Sequence, residues 1–306
     1  MKHKMNRKYK LGVFALLVLA GIAIVTIATV YFHAHPVAVL SPAGPVAHKE
    51  RGLIIMTLLL SLIVVVPVFG LLVLFAWKYR ASNTKARYTP DWDRNRLAEI
   101  VWWLVPSLLI LVISVITWNS SHQLDPYKRL DGNAKELIVQ VVALDWKWLF
   151  IYPEQHIASV NFVQFPSDMP VDFEITADAP MNSFWIPRLG GQIYAMPGMS
   201  TQLHLMASTN DSFKGSSANI SGTGFASMKF AAKSSSQADF DKWVQSARQS
   251  SAMLDTATYN ELAKPSSNNP AFYYAWAQDG LYNNVIMKYM SPDAGMNMQP
   301  MNASAP

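Results

Sequence analysis

The sequence contains no cysteine among its 306 residues. This absence excludes disulfides, thiolate metal sites and a lipid-modified N-terminal cysteine. Charged residues are also scarce, since they make up 15% of the chain while hydrophobic residues make up 51%. A soluble domain typically contains about 25% charged residues, so the composition indicates a membrane protein.

Three stretches of the chain lack Asp, Glu, Lys and Arg altogether, namely 11–32, 53–77 and 100–118. Because a helix rises about 1.5 Å per residue, roughly 20 residues cross the ~30 Å hydrocarbon core of a bilayer, and each stretch approaches or exceeds that length. The alternative is a helix buried in a protein core. We predict an N-terminal signal or anchor segment at residues 1–33 and a transmembrane helical hairpin at 50–118.

Basic residues are concentrated before the first stretch and in the loop after the second. Lys and Arg that flank a span stay on the cytoplasmic side, so everything after residue 119 is expected outside the cytoplasm. Acidic residues outnumber basic ones in that outer part, so the formal net charge of +5 reflects topology and predicts no nucleic-acid partner. The first stretch is longer than a typical signal-peptide core of about 7–15 residues, which favours an uncleaved anchor.

Beyond a polar linker, the hydrophobic pattern changes to the alternation that is typical of β-strands. Val171, Phe173 and Ile175, for example, alternate with polar residues. Sequences rich in glycine and proline separate several such stretches, as turns do in small β-proteins. The pattern predicts an antiparallel sandwich or barrel over residues 134–233.

Helical periodicity returns after this region. Ser236 and Asp239 resemble a capping box in front of an amphipathic stretch. A second short helix should end before Pro265, and a third should follow. We predict a short α-helical C-terminal region over 236–290 and a disordered tail over 291–306, which is rich in Asn, Ser, Pro and Met.

Several motifs resemble, in order, those of subunit 2 of the haem-copper oxidases. They are Phe75-Ala-Trp-Lys-Tyr-Arg-Ala-Ser-Asn83, Glu99 with Trp103 and Pro106, Asp145-Trp-Lys-Trp-Leu-Phe-Ile-Tyr-Pro-Glu154, Met181-Asn-Ser-Phe-Trp-Ile-Pro-Arg-Leu-Gly190 and Gln192-Ile-Tyr-Ala-Met-Pro-Gly198. The resemblance covers residues 50–290 and implies an all-β, cupredoxin-like Greek-key sandwich behind a membrane α-helical hairpin.

Members of this family that oxidise cytochrome c carry a dinuclear copper centre in the sandwich. The resemblance assigns its ligand positions to six residues of this chain: Asn182, Ser217, Asn219, Ser221, Phe225 and Met228. Only the methionine is a metal ligand, because such a centre needs thiolates and imidazoles. We therefore expect no metal and no cofactor in this chain, and no cytochrome c as a partner.

The missing ligands make the chain similar to the cytochrome bo-type ubiquinol oxidases. This resemblance implies a proton-pumping complex of the respiratory chain in the bacterial inner membrane, which oxidises ubiquinol and reduces O2 to water. Haems b and o and a copper ion would lie in subunit 1, and subunits 3 and 4 would be further partners. The chain would be a non-catalytic subunit with a periplasmic sandwich. The alternative is a membrane-anchored periplasmic binding or sensory module of the same fold.

Individual residues carry further expectations. The resemblance implies that Glu99 lies at the cytoplasmic mouth of a proton channel into the large subunit, although a solvated glutamate stabilised by the helix dipole is the alternative. Trp146 and Trp148 alternate onto one strand face, and we expect them to pack against the large subunit. Histidines of the outer part show no short ligand spacing and are expected to be ordinary surface or structural residues: His122, His156 and His204.

Overall fold

The computed structural model describes residues 37–87, 89, 93–131 and 135–290, together with scattered positions between 19 and 34. The chain divides into two compact units, residues 1–41 and 42–306. In the first unit the scattered positions are helical, and Ala38–Leu40 form a 3-10 turn. The predicted disordered tail and most of the predicted N-terminal segment lie outside the described residues.

Two long apolar helices begin the second unit, α1 (Pro45–Lys78) and α2 (Arg96–Gln123). Both are long and apolar enough to span a bilayer, and their apolar side chains are exposed. Helix α1 has Pro45 in its first turn, where no backbone N–H is needed. Helix α2 is capped by Asn95, whose side chain accepts the N–H of Ala98 at 3.1 Å. The two predicted apolar helices are thus confirmed.

The segment that leads into α1 and the first turns of this helix bond to the domain that follows α2, which is called the outer domain below. Ala43 donates its N–H to the carbonyl of Arg188 at 2.7 Å and accepts the N–H of Ser208 at 2.8 Å. One turn into the helix, a carboxylate oxygen of Glu50 accepts the N–H of Gly191 at 2.8 Å. These bonds fix the start of the helix to the loop that follows residue 186.

The strands of the outer domain are β1 (Leu137–Leu144), β2 (Lys147–Tyr152), β3 (Ile157–Val160), β4 (Phe162–Pro166), β5 (Val171–Ala177), β6 (Asn182–Trp185), β7 (Ile193–Ala195), β8 (Thr201–Leu205), β9 (Ser212–Ser217), β10 (Lys229–Ser235), β11 (Met253–Leu254), β12 (Phe272–Tyr274) and β13 (Trp276–Ala277). Two sheets with strand orders β12-β3-β2-β1-β5-β8 and β4-β10-β9-β6-β7 form a sandwich, and β11 pairs with β13 outside these sheets. This arrangement confirms the predicted sandwich fold.

Both sheets are mixed, which differs from the antiparallel arrangement predicted. Strand β1 pairs in parallel with β5, and β4 pairs in parallel with β10, while the other pairs within these two sheets are antiparallel. The chain crosses to the second sheet at β4 before it returns at β5. A crossing of this kind brings β5 back beside β1 in the same direction.

Alternation along the strands places the core between the two sheets. Val171, Phe173 and Ile175 are fully buried in it, as their spacing predicts. An aromatic cluster occupies its centre, where Phe184 and Phe230 stack with ring centroids 5.2 Å apart and Trp148 packs edge-on against Phe184 at 5.4 Å. Each such ring removes a large apolar area from water, so this cluster contributes strongly to stability.

The C-terminal region contains three short helices, α3 (Gln237–Arg248), α4 (Thr256–Leu262) and α5 (Leu281–Met287). The predicted cap of α3 is present, since Ser236 Oγ accepts the N–H of Asp239 at 3.2 Å. Leu281 and Val285 belong to a second apolar cluster together with residues of β1 and β2 that point away from the main core. The region therefore covers the outer face of the first sheet, where the other side chains of the same strands lie.

A buried carboxylate joins this region to the sandwich. Asp178 follows β5 and accepts hydrogen bonds from Tyr259 Oη at 2.7 Å, Lys288 Nζ at 2.7 Å and Tyr289 Oη at 2.5 Å. Burial raises the pKa of Asp178, but the three hydrogen bonds outweigh burial and hold this pKa below its usual value. The carboxylate is therefore ionised at neutral pH and anchors the C-terminal region.

Candidate functional site

The six residues that the family resemblance assigns to copper-ligand positions lie around the adjoining ends of β6 and β9 and in the loop before β10. Asn182 begins β6 and Ser217 ends β9, and these two strands pair side by side. Ser217 Oγ donates to Asn182 Oδ1 at 3.0 Å and lies 3.2 Å from the backbone carbonyl oxygen of Asn219. Asn219 Nδ2 donates to the carbonyl of Met181 at 2.9 Å. Three of the polar side chains, those of Asn182, Ser217 and Asn219, are thus engaged in hydrogen bonds within this cluster and its adjoining backbone.

The remaining positions follow in the same loop. Met228 is buried in the core, and its carbonyl accepts the N–H of Ser217 at 3.2 Å. Phe225 begins a 3-10 turn that ends at Ser227. The hydroxyl of Ser221 is buried and has no hydrogen-bond partner among the residues that the structure describes. One thioether beside hydroxyl, amide and phenyl groups does not fit a dinuclear copper centre, which requires thiolates and imidazoles.

The side chain of Trp146 packs on this loop. Its Nε1 donates to the carbonyl of Ser221 at 3.2 Å, and its ring lies against Gly222 and Gly224. A Cβ atom at Gly224 would come within 2.2 Å of the indole Cδ2, so the close approach requires glycine there. Trp146 has a φ of 64°, an uncommon value for a bulky residue. Its contacts hold the 221–224 segment against the end of β1.

The structure places the two tryptophans in different elements, although the ring of Trp146 packs against the core cluster that contains Trp148. The positive φ of Trp146 places this residue in the turn between β1 and β2, before the alternation of β2 begins. Trp148 is 0% exposed and packs inside the sandwich against Phe184 and Phe230. Trp148 therefore offers no surface to a large subunit, whereas packing by the half-buried Trp146 stays a prediction.

Glu99 lies in the first turn of α2 and is partly exposed. Its Oε1 is 3.6 Å from Arg94 Nε, a loose ion pair at the solvent-exposed start of the helix. An open cavity of about 640 Å³ adjoins this carboxylate, with Trp103 and Ser107 among its lining residues. The structure thus places Glu99 beside an apolar recess on the surface of the hairpin.

Sequence reasoning missed Glu50, a second carboxylate near the end of a span. It belongs to α1 and accepts the N–H of Gly191 from the outer domain at 2.8 Å. The signal was available in the sequence, because a charged residue next to a long apolar run needs a partner. The sequence did not reveal the identity of that partner, since Gly191 is 141 positions away from Glu50.

The three histidines of the outer part differ in their surroundings. His156 is exposed, and its Nδ1 lies 3.3 Å from Asp279. His122 is exposed at the end of α2, and its Nδ1 lies 2.7 Å from the carbonyl of Trp118. His204 is only 4% exposed, and its Nδ1 lies 2.6 Å from Glu136 Oε1. Two of the three histidines thus lie at the surface, while the third is buried beside a carboxylate.

Comparisons with known proteins match this architecture. Residues 152–235 match the family model described as the cytochrome c oxidase subunit II periplasmic domain, and residues 248–293 match the COX aromatic rich motif. The periplasmic domain of subunit II of cytochrome oxidase from Bradyrhizobium japonicum is similar at 20% identity with a TM-score of 0.36, covering 39% of this chain and 96% of that one.

Full-length relatives give a more specific match. The cytochrome bo(3) ubiquinol oxidase subunit 2 of Pseudomonas putida is 52% identical over 84% of this chain and 82% of its own length. The ubiquinol oxidase subunit 2 of Acetobacter aceti is 51% identical over 82% of both chains. The quinol oxidase subunit 2 of Bacillus cereus is 37% identical over 74% and 79%. The chain belongs to the quinol oxidase subunit 2 family of the haem-copper oxidases.

Proposed function

We propose that this chain is the non-catalytic subunit 2 of a proton-pumping ubiquinol oxidase in the bacterial inner membrane. Haems b and o and a copper ion would reside in subunit 1, with subunits 3 and 4 as neighbours and O2 reduced to water. The names of the relatives and the two apolar helices ahead of the sandwich support this assignment. Residues 50–118 would form the membrane hairpin, 134–233 the periplasmic sandwich and 236–290 its C-terminal cover.

The main support for this proposal comes from the residues around Ser217, at the positions that the resemblance assigns to copper ligands. Asn182, Ser217 and Asn219 bond to one another, and the chain has no cysteine to bridge two copper ions. A soluble electron donor therefore finds no metal acceptor at these positions. Electrons would enter the complex from a lipid-soluble quinol in the membrane, and the sandwich would have a structural and assembly role.

Purification of the chain from its native membrane in mild detergent tests this function. We expect haem-containing subunits to co-purify and the preparation to oxidise ubiquinol with O2, while reduced cytochrome c is not oxidised. A colourless preparation that contains this chain alone would support the periplasmic binding or sensory module instead. Turnover with cytochrome c as the sole reductant would contradict the proposal directly.

We further propose that Glu99 delivers protons at the cytoplasmic mouth of a channel into the large subunit. Its carboxylate is partly exposed and adjoins a cavity at the start of α2, a position from which it can exchange protons with water. Glu99→Gln preserves the shape and removes the titratable group. We expect ubiquinol oxidase turnover to fall by about tenfold or more, because positioned proton-transfer groups typically contribute at least that much.

Asp93→Asn is the matched control for this experiment, because Asp93 is an exposed carboxylate a few residues before the same helix. Its turnover and its proton uptake should match those of the wild-type complex. Equal turnover in the Glu99→Gln complex would show that the glutamate is only a solvated helix-start residue. An equal loss in both variants would point to general surface charge.

A further inference from the structure

Three ionisable side chains from separate segments of the chain meet on the outer face of the first sheet. Asp172 on β5 and His204 on β8 are direct cross-strand partners, and Glu136 immediately precedes β1, which pairs in parallel with β5. One ligand atom from each of the three lies within 4.8 Å of the others. The sheet therefore fixes the backbone positions of one imidazole and two carboxylates.

The hydrogen bonding of this cluster is incomplete. His204 Nδ1 lies 2.6 Å from Glu136 Oε1 but 3.9 Å from Asp172 Oδ1, which is too far for a hydrogen bond. Asp172 is only 4% exposed, and its Oδ1 has no hydrogen-bond partner among the described residues. A buried carboxylate oxygen without a partner costs free energy. A proton on the imidazole Nδ1 can therefore form a hydrogen bond with only one of the two carboxylates.

We propose that Glu136, Asp172 and His204 bind a divalent transition-metal ion, with Zn²⁺ as the ion that best fits one imidazole and two carboxylates. Zinc holds nitrogen and oxygen ligands at about 2.0–2.2 Å in tetrahedral geometry, which sets neighbouring ligand atoms about 3.4 Å apart. The observed separations of 2.6 Å and 3.9 Å lie on either side of that value. Small side-chain rotations bring all three atoms to the ion.

The electrostatic surroundings favour a cation. Besides the two ligand carboxylates, Glu174 lies on the same face, where it accepts a hydrogen bond from Gln140 at 3.0 Å. Arg129 opposes these charges in part, since its Nε lies 3.6 Å from the second oxygen of Glu136. A bound dication would offset the repulsion among the carboxylates.

A cavity borders one ligand of the site. It has a volume of about 150 Å³, lies between the linker after α2 and the end of β8, and is lined in part by His204 and Lys128. Three protein ligands leave the fourth position of a tetrahedral zinc ion to a water molecule, and a cavity of this volume beside His204 can hold water. The linker crosses the edge of β8 here, since the N–H of His204 bonds the carbonyl of Pro126 at 3.2 Å. A metal ion would join the residue before β1 to β5 and β8, next to this linker.

Zinc titration of the full-length chain in detergent tests the proposal. The chain should carry no polyhistidine tag, be washed with chelator, and be titrated with Zn²⁺ against a chromophoric chelator of micromolar affinity. We expect one tightly bound Zn²⁺ per chain. Glu136→Gln and His204→Gln should each weaken binding by at least tenfold, because each removes a ligand. Zinc should also raise the melting temperature of the wild-type chain but of neither variant.

Glu174→Gln is the matched control, because it removes a carboxylate from the same sheet face without removing a ligand. Its zinc affinity should stay within threefold of wild type. Absence of binding against the competitor, or equal affinity in all variants, would overturn the proposal. Glu136 precedes β1 and is more exposed than the other two ligands. Its variant therefore decides the outcome even if the histidine variant does not fold.

Discussion

Replacing Trp148 with alanine should lower the free energy of unfolding of the outer domain by about 3–5 kcal/mol, the range for truncating a buried aromatic side chain. The indole is fully buried and packs against Phe184 at 5.4 Å and Phe230 at 5.8 Å. Alanine would leave a large cavity between the sheets, which the close-packed strands cannot fill by relaxation. Denaturant unfolding of the full chain in detergent, followed by near-UV circular dichroism, measures the loss.

Two further variants distinguish the effect of lost packing from the effect of the unsatisfied indole N–H. Nε1 of Trp148 is buried without a hydrogen-bond partner among the described residues, so Trp148→Phe removes an unsatisfied donor as well as volume. We expect this variant to lose less than about 2 kcal/mol. Trp276→Ala, at a position that is 38% exposed, should lose less than half as much as Trp148→Ala. Equal losses at positions 148 and 276 would contradict the buried packing role.

Asp178→Asn should detach the C-terminal helical region from the sandwich, at a cost of about 3 kcal/mol in the free energy of unfolding. The buried carboxylate accepts hydrogen bonds from Tyr259, Lys288 and Tyr289, and the amide of asparagine cannot accept all three. Loss of the negative charge of Asp178 also leaves the ammonium group of Lys288 without its ionic partner. Limited proteolysis should cut the chain between 250 and 290 faster in the variant than in the wild type.

The same carboxylate predicts a dependence on pH. Its pKa in the folded protein is depressed below the unfolded value of about 3.9. Its contribution is therefore fully present above that value and is lost as pH falls through the folded pKa. Between pH 7 and pH 5 the difference in stability between wild type and variant should be constant, and it should shrink only below about pH 4.

Asp279→Asn provides the control, because Asp279 is highly exposed and its carboxylate lies 3.3 Å from His156 at the surface. Its stability and its proteolysis pattern should match those of the wild type at neutral pH. A difference between wild type and Asp178→Asn that shrinks already near pH 6 would show that another group is responsible. Unchanged proteolysis in Asp178→Asn would show that apolar packing alone holds the region.

Local patterns predicted the fold well where alternation and burial coincide. Val171, Phe173 and Ile175 face the core as their spacing required, and the cap at Ser236 begins a helix at the expected residue. Trp146 shows the limit of the same reasoning. Alternation does not reveal where a strand begins, and Trp146 lies with a positive φ in the turn between β1 and β2, where its ring packs on Gly222 and Gly224.

Long-range contacts account for most of what the sequence did not reveal. Asp178 meets Tyr259 and Tyr289 across separations of 81 and 111 positions. His204 was expected to be an ordinary residue because no second histidine stands nearby in sequence, yet it lies beside Glu136, which precedes β1, and Asp172 of β5. Pairing of strands, which sequence patterns alone do not specify, brings such groups together.

The attachment of α1 to the loop after residue 186 has a mechanical consequence. Backbone bonds at Ala43 and the bond from Gly191 to Glu50 join the start of this helix directly to the loops of the sandwich. In a bilayer, we expect a change in helix tilt, such as a thicker or thinner membrane causes, to be passed to the sandwich through these bonds. The orientation of the domain would then depend on membrane thickness.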